Sequence, residues 1–440
     1  MRFIVRLVLL ITIFILSFSS LSSAKESTKN TIEATATYNK NDTITVSGKV
    51  NDLEGLENVS INYDDTTINL SKEKWKSSKF TYDFKVKNPA KFRKHTIIFD
   101  GNFLVSDDWG TTEWTSSLYD MTVVNPAFIF DTESATKKKT KTAIRKKAKT
   151  YKSTYSAKSP YKTKPSDKVP LKAGSLKQGF LNDGVNTANF YRYLADLPDD
   201  LVLNKGLNAN AQYGAVLLSH IGFLTHTPVK PKKVASNFYE KGYEATSSSN
   251  LAYGTSSLNE AVDLYMDDTD SSNIDRVGHR RWILNPMLKE VGFGYMDGFS
   301  SMKVFDESRD DIQEIKWDYI SWPGKGYMPI EYFSSKTAWS VSLNPEVFRT
   351  PKSSNVFVQV KNKRTEHTWK LNRKMNKYTV SGNYLNVENS GYGSGPAIIF
   401  RPDLSKGLRA GDTYEIMISG ITKLDGSSAP ITYSVTFFEL

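Results

Sequence analysis

The chain has 440 residues, of which 58 are Lys or Arg and 47 are Asp or Glu, and it contains no cysteine. Its length suggests two to four domains, and a hydrophobic content of 39% with 12% aromatic residues is enough to build cores, which excludes wholesale disorder. The lack of cysteine excludes disulfides, Cys-ligated zinc, iron–sulfur clusters, thiol nucleophiles and acylation at Cys.

Residues 1–24 have the pattern of a secretory signal peptide. Two arginines precede the apolar segment Leu7–Phe18, and Ser22–Ala24 supplies small residues for cleavage before Lys25. The uncharged run that begins at Leu7 has 18 residues, which is short for a membrane span, so we expect cleavage rather than an uncleaved anchor. The expected location is secreted or cell-surface, and an exported protein without Cys fits a Gram-positive-type bacterium better than a eukaryotic extracellular space.

Residues 25–130 are predicted to be all-β. Thr43–Val50 largely alternates polar and apolar residues, and a polar cluster separates it from a second strand candidate, Thr31–Tyr38. Further β-rich runs follow at residues 60–63, 80–86 and 95–99. Short strands at this spacing are typical of a β-sandwich, so we predict a first Ig-like domain here.

The net charge of +11 is concentrated in one tract. Residues 137–172 contain fourteen Lys or Arg and one acid, a net charge of +13, whereas the leader carries +2 and the remainder of the chain −4. The enclosing segment, residues 131–175, is rich in Lys, Ser and Thr and has three prolines but no Trp or Phe, so we predict a basic, disordered linker.

The expected partner of residues 137–172 is an anionic cell-wall polymer or a membrane surface. Nucleic acid is disfavoured as a partner, because no basic fold accompanies the tract.

Residues 176–320 contain the helical part of the chain. Two helix faces are predicted from apolar residues at helical spacing, one starting at Asn186 and one at Leu207. Ser257 followed by Glu260 predicts a capping box at the start of another helix. The last elements of this region are two predicted strands, at residues 291–295 and 302–305.

Residues 321–440 return to β structure. Strands are predicted at Tyr414–Ser419 and Ile431–Phe437, with turns near Gly411 and Asp425, and we expect a second β-sandwich. The glycine-rich segment 391–395 lacks the serine of a nucleophile elbow and the ending of a phosphate loop, so it is predicted to be a flexible turn.

Asp268 is the sharpest chemical signal among these residues. It lies on the apolar face of its predicted helix, seven residues after Ala261 and three after Tyr265. A carboxylate that faces a core needs a cation, a metal or strong donors, and a histidine is one such partner. The alternative is a solvated aspartate at the helix end.

Four segments of this region together resemble the CAP superfamily, the SCP domain of cysteine-rich secretory proteins, antigen 5 and plant pathogenesis-related 1 proteins. The segments, which cover about a quarter of the chain, are Asn182–Asp196, Ala211–Pro228, Ser249–Gly254 and Gly278–Gly294. The strongest run, GHRRWILNP at residues 278–286 followed by VGFG at 291–294, resembles bacterial members.

The resemblance implies an α-β-α sandwich over residues 176–320, with a cleft lined by two histidines and two acids. By motif, the histidines are His226 and His279, which bind zinc in some members, and Asp268 takes the place of the second acid. Ser249 stands where the family usually has Glu, and it retains the ability to hydrogen-bond a ligand or water. The expected fold class is therefore α+β, a central CAP sandwich flanked by N-terminal and C-terminal Ig-like β-sandwiches.

Three functions remain open for such a chain. The first is a cell-surface or secreted module that binds an unknown ligand or partner in the cleft formed by His226, Ser249, Asp268 and His279. The second is a hydrolase of peptide or wall material, in which zinc held by His226, His279 and Asp268 activates water. A His-Glu-x-x-His motif and an evident general base are missing from the sequence, which counts against this alternative. The third is a structural protein whose cleft holds only a hydrogen-bonded polar cluster.

Overall fold

The computed structural model describes the backbone of seven strands within residues 32–124, and residues 139–440 except residue 307. The predicted signal peptide and residues 137 and 138 lie outside the described residues. The chain divides into two compact units, residues 1–126 and residues 127–440. Within the described residues, no helix has the length and apolar character needed to cross a membrane.

The described part of the first unit consists of two antiparallel sheets. One has the order β1-β2-β5 and the other β4-β3-β6-β7. The strands are β1 (Ile32–Tyr38), β2 (Thr43–Val50), β3 (Leu56–Tyr63), β4 (Thr66–Leu70), β5 (Lys79–Lys85), β6 (Lys94–Ser106) and β7 (Thr112–Val124). The predicted strands are therefore present, whereas the assignment of an Ig-like β-sandwich stays a prediction.

The predicted disorder of residues 131–175 is wrong for residues 139–175. Thr140 caps helix α1 (Lys141–Thr150), because its hydroxyl accepts a hydrogen bond from the backbone N–H of Ala143. Ile144 of this helix is fully buried. Two short strands, β8 (Tyr161–Thr163) and β9 (Ser175–Leu176), pair with each other. The composition of the segment does not reveal this order, because only a few apolar residues attach it to the core. Ile144 is part of the core, and Tyr151, Tyr155 and Tyr161 pack against it.

Three aspartates outside the basic tract hold it in place. Lys139 forms an ion pair with Asp196 at 2.7 Å, and Lys147 pairs with Asp199. The carboxylate of Asp183 accepts hydrogen bonds at 3.0 Å from two backbone amides just after α1. The tract is therefore held by aspartates that lie outside it, so its own sequence does not predict these contacts.

The middle of the second unit is an α+β arrangement, as predicted. Its helices are α2 (Gln178–Leu194), α3 (Lys205–Ile221), α4 (Ser236–Ser247), α5 (Leu258–Asp267) and α6 (Gly278–Ile283). Its sheet has the order β10-β12-β13-β11, with β10 (Val202–Leu203), β11 (Ser249–Ala252), β12 (Glu290–Met296) and β13 (Phe299–Lys303).

Helices lie on both faces of this sheet because β12 alternates glycine with a large residue. A Cβ at Gly292 or Gly294 would lie 2.2 Å from backbone atoms of α3, so only glycine allows this helix to pack so closely. The ring of Phe293 points to the other face and contacts Gly184 of α2. Ser257 caps α5 as predicted, but the Glu260 carboxylate binds Ser256 rather than completing the capping box.

The C-terminal part of the second unit contains two further sheets, with the orders β14-β16-β20-β19 and β15-β22-β21-β17-β18. The strands are β14 (Tyr319–Trp322), β15 (Gly326–Pro329), β16 (Trp339–Leu343), β17 (Phe357–Asn362), β18 (Thr368–Leu371), β19 (Tyr384–Glu388), β20 (Ala397–Arg401), β21 (Thr413–Ser419) and β22 (Ile431–Phe438). The buried ring of Trp339 lies 5.6 Å from Tyr414 and 6.0 Å from Phe437, which joins the two sheets through aromatic contacts.

These sheets share a core with the helical part. Tyr191 of α2 lies 5.4 Å from Trp322 and 5.0 Å from Tyr332, measured between ring centroids. The predicted boundary after residue 320 therefore does not separate compact units, and residues 127–440 form one unit. An Ig-like assignment of the C-terminal sheets stays a prediction.

Candidate functional site

Asp268 and His279 form a hydrogen-bonded pair where α5 ends and α6 begins. His279 Nδ1 lies 2.7 Å from Asp268 Oδ1, and the backbone N–H of Arg280 donates to Asp268 Oδ2 at 3.1 Å. Asp268 is only 3% exposed. The alternative of a solvated aspartate at the helix end does not apply, because both carboxylate oxygens are buried against donors.

Left-handed backbone at both ends of the connecting loop brings the pair together. Asp268 has φ 48° and ends α5, whereas Val277 has φ 42° and precedes α6. Such backbone is uncommon for Asp and strained for a β-branched residue such as Val, and strain of this kind persists only where surrounding contacts impose it. Here the buried hydrogen bonds of Asp268 supply those contacts.

The ring and the backbone of His279 are both fixed. The amide of Asn250 on β11 donates to the His279 carbonyl at 2.9 Å, and the Tyr265 ring lies 5.7 Å from the imidazole. The Tyr265 hydroxyl is in turn 2.8 Å from the hydroxyl of Ser300 on β13. Asn250 lies in Ser249–Gly254, one of the segments that resemble the CAP superfamily, but its residue type gives no signal for this contact.

Burial lowers the pKa of His279, but the charge of Asp268 and its hydrogen bond together outweigh burial and leave this pKa raised. The pair therefore contributes stability that is fully present below the unfolded pKa of about 6.5 and is lost as the pH rises through the higher folded value. We expect the difference in melting temperature between the wild type and His279→Gln to decrease as the pH is raised from about 5.5 to about 8.5. A constant difference across this range would contradict the coupling.

His226 lies on the exposed loop after α3. Its Nδ1 is 2.8 Å from the carbonyl of Thr246, and the Thr246 hydroxyl donates back to the His226 carbonyl at 3.3 Å. The end of α4 therefore sets the position of the loop. Exposed apolar side chains flank the histidine, with Phe223 60% and Val229 86% exposed.

Ser249 is buried, and its hydroxyl has no hydrogen-bond partner among the described residues. It pairs in register with Lys303 of β13, whose ammonium binds Ser248 at 2.5 Å and Glu244 at 3.3 Å. An unpaired buried hydroxyl costs free energy. The serine in the position of the family's glutamate thus leaves one hydrogen-bonding group unused by the protein.

The structure joins two of the four predicted site residues directly. Within residues 139–440, neither His226 nor Ser249 makes a hydrogen bond to Asp268 or His279. In the same part of the chain, no group of three or more His, Cys, Asp or Glu residues is placed to hold a metal ion.

Asp268 is buried, and each of its oxygens accepts one hydrogen bond, from His279 and from the Arg280 amide. Its carboxylate orients His279. The Nδ1 atoms of His226 and His279 are engaged, so each ring retains Nε2 as its remaining nitrogen. One imidazole nitrogen on each histidine is therefore left to bind a metal, and the zinc site stays a prediction.

The two arginines after His279 anchor α6. The guanidinium of Arg280 is fully buried and donates to the carbonyls of Met266 at 2.7 Å, Asp267 at 2.5 Å and Ala338 at 2.8 Å. Burial lowers the pKa of Arg280 to about 10. These contacts attach α6 to α5 and to the segment before β16.

The glycine-rich segment 391–395 packs against α6 rather than forming a free turn. A Cβ at Gly393 would lie 2.7 Å from the Trp282 ring. The carbonyl of Gly395 accepts from Arg281, which also pairs with Glu388. The C-terminal sheets thereby support the helix that carries His279.

Comparison with known proteins supports the family assignment. A family model described as CAP, the cysteine-rich secretory protein family, matches residues 185–305, which include all four predicted site residues. Comparison with curated proteins gives no significant match. Among solved structures, MtrC from Shewanella baltica OS185 is 9% identical, with 93% of this chain and 70% of that chain covered and a TM-score of 0.14. A TM-score this low carries no argument about fold or function.

Proposed function

Because residues 185–305 form a CAP domain, we propose that the chain is an exported binding protein, secreted or held at the surface of a Gram-positive-type bacterium. Its cleft residues His226, Ser249, Asp268 and His279 bind a small ligand or partner, and Ig-like β domains position the cleft. The observation that carries this proposal is the Asp268–His279 pair, which presents one imidazole in a fixed orientation. The unused hydroxyl of Ser249 adds a group able to hydrogen-bond a ligand.

The hydrogen bonds of Asp268 favour binding over hydrolysis. A general base must reach a proton of the substrate or of water, but the Asp268 carboxylate is buried behind His279 and the amide of Arg280. Ser249 cannot replace the family's glutamate in that role, because a hydroxyl is a poor base at neutral pH. The site retains groups that recognise a ligand but lacks one of the two acids.

A second element of the proposal is attachment to an anionic cell-wall polymer or membrane surface through residues 137–172. This is supported by exposed lysines along the docked tract: Lys146, Lys149, Lys152, Lys158, Lys162, Lys164, Lys168 and Lys172. Since α1 and the pair β8–β9 order the segment, these cations project from a folded surface rather than from a flexible tether.

Changing Lys158, Lys162, Lys164 and Lys168 to Gln is expected to weaken binding to isolated anionic wall about tenfold at low salt, because each exposed contact contributes less than about 1 kcal/mol. The salt dependence should become shallower. Sedimentation with wall preparations, and with vesicles containing anionic lipid, measures both effects. Four exposed lysines between the strands of the C-terminal part, changed to Gln, provide a charge-matched control: Lys352, Lys374, Lys377 and Lys406. An equal loss in the control would mean that net charge alone governs binding.

The second candidate function is a zinc-dependent hydrolase of peptide or wall material. It is favoured by the engaged Nδ1 atoms of His226 and His279, since a ligating histidine commonly donates its other nitrogen to a carboxylate or carbonyl. This candidate expects one zinc per chain and soluble fragments released from wall, both lost in His226→Ala/His279→Ala and retained in His220→Ala. Elemental analysis and an assay of released amino groups measure them. Wall binding without fragments would leave the binding proposal standing and exclude hydrolysis.

A further inference from the structure

A cavity of about 610 Å³ lies where α1 docks against α2 and α5. Its lining includes Arg145, Lys149 and Lys152 from the basic tract, and Asn259 and Asp263 from α5. None of the four CAP-site residues lines it. A volume of this size is typical of small-molecule sites, which occupy roughly 300–1,000 Å³.

One wall of the cavity is positively charged. Lys149 and Lys152 are exposed, and neither forms an ion pair among the described residues. Arg145 is held beside them, since its guanidinium donates to the Glu439 carbonyl at 2.7 Å and lies 5.2 Å from the Phe438 ring. Three cations at one side of a cavity favour a ligand with an acidic group.

The lining also combines aromatic rings with hydrogen-bonding groups. The Phe190 ring lies 6.5 Å from Tyr151 and 5.9 Å from Tyr332, and all three residues line the cavity. Within the described residues, the side-chain amide of Asn259 has no hydrogen-bond partner. Asp263 accepts from the Tyr191 hydroxyl at 2.7 Å through one oxygen, which leaves the other for a ligand.

We propose that this cavity binds an acidic sugar, as one unit of an anionic polysaccharide. Sugar rings present both apolar faces, which stack on aromatic side chains, and hydroxyls, which pair with amides and carboxylates. The cationic wall binds the sugar's acidic group. An anionic lipid fits less well, because its acyl chain would desolvate Asn259 and Asp263 without satisfying them. This inference rests on the proposed attachment to an anionic polymer and adds a specific site for one polymer unit to the contacts made by the exposed lysines.

The test is calorimetric titration of the full chain with a tetramer of galacturonate, with maltotetraose as the neutral control and dodecanoate as the lipid-like anion. We expect galacturonate to bind and the two controls to bind at least tenfold more weakly. Lys149→Gln/Lys152→Gln and Asn259→Ala should each weaken binding about tenfold. The charge-matched variant Lys162→Gln/Lys164→Gln, on β8 and the following residue, should change it less than twofold.

Ala148→Phe, which fills the cavity without changing charge, gives an independent test, with thermal melting to confirm that each variant folds. Equal losses in both lysine pairs, with none in Asn259→Ala or Ala148→Phe, would overturn the cavity but leave attachment by the tract intact. Preferred binding of dodecanoate would overturn the sugar assignment. If galacturonate and isolated wall both failed to bind the wild type, the proposed attachment itself would fail.

Discussion

Replacement of Asp268 with alanine is expected to lower the free energy of unfolding of the second unit by about 3 kcal/mol. The change removes the partner of His279 Nδ1 and leaves the Arg280 amide unpaired in a buried position. It also takes away a carboxylate that favours the charge of the buried Arg280. Losing one member of a buried charged network costs about 3–5 kcal/mol, and the partial exposure of His279 places this case at the lower end.

The neighbouring substitution Asp267→Ala is the matched control for Asp268→Ala. Asp267 is exposed, and among the described residues its carboxylate accepts hydrogen bonds from the hydroxyls of Thr269 and Thr337 alone. We expect it to cost less than about 1 kcal/mol in urea unfolding followed by tryptophan fluorescence. Equal effects of the two substitutions would show that the geometry of the Asp268–His279 pair is not what stabilises this region. The Asp268 variant should also lose the pH dependence assigned to His279.

The conservative change Arg280→Lys should have a comparable effect, lowering the free energy of unfolding by about 3 kcal/mol. The planar guanidinium reaches three carbonyls, on α5 and on the segment before β16, whereas a lysine ammonium cannot reach all three in this geometry. Each buried carbonyl left without a donor costs about 1–3 kcal/mol. The expected loss is therefore large although the charge is kept.

Arg276→Lys provides the comparison, because Arg276 is only half-buried and pairs with the exposed Asp275. We expect its free energy of unfolding to stay within about 0.5 kcal/mol of the wild type. Since Arg280 joins α6 to the C-terminal sheets, its loss should also increase hydrogen exchange at the amides of residues 278–283. Unchanged exchange there would indicate that the glycine-rich segment alone holds α6.

Local patterns in the sequence predicted several elements and the position of Asp268. The strand Thr43–Val50 is observed with the predicted bounds, and the strand predicted at 302–305 is shifted by only a few residues. Asp268 was placed on a buried helix face by spacing alone, because the 3.6-residue period projects it beside Tyr265. The presence of His279 as its partner depends on a turn in which Asp268 and Val277 adopt left-handed backbone, and spacing along a helix carries no information about that turn.

The basic tract shows the opposite outcome. Its composition predicts disorder, yet Ile144 is buried and Lys139 and Lys147 pair with Asp196 and Asp199. Those aspartates lie about fifty residues further along the chain, at the end of α2. Contacts at such separations are decided by the fold of the whole unit, which a window of sequence does not contain.

By itself, the sequence determined the membership of residues 185–305 in the CAP family, the α+β class and the four candidate site residues, because motifs and short periodicities are local properties. Only the tertiary structure decided that Asp268 is buried against His279 and the Arg280 amide, and that residues 139–172 of the basic tract are a folded part of the second unit. It also created the cavity between α1, α2 and α5. The physical reason is that burial and pairing depend on which distant side chains meet in space, and hydrogen bonds and charges take their energies from those neighbours.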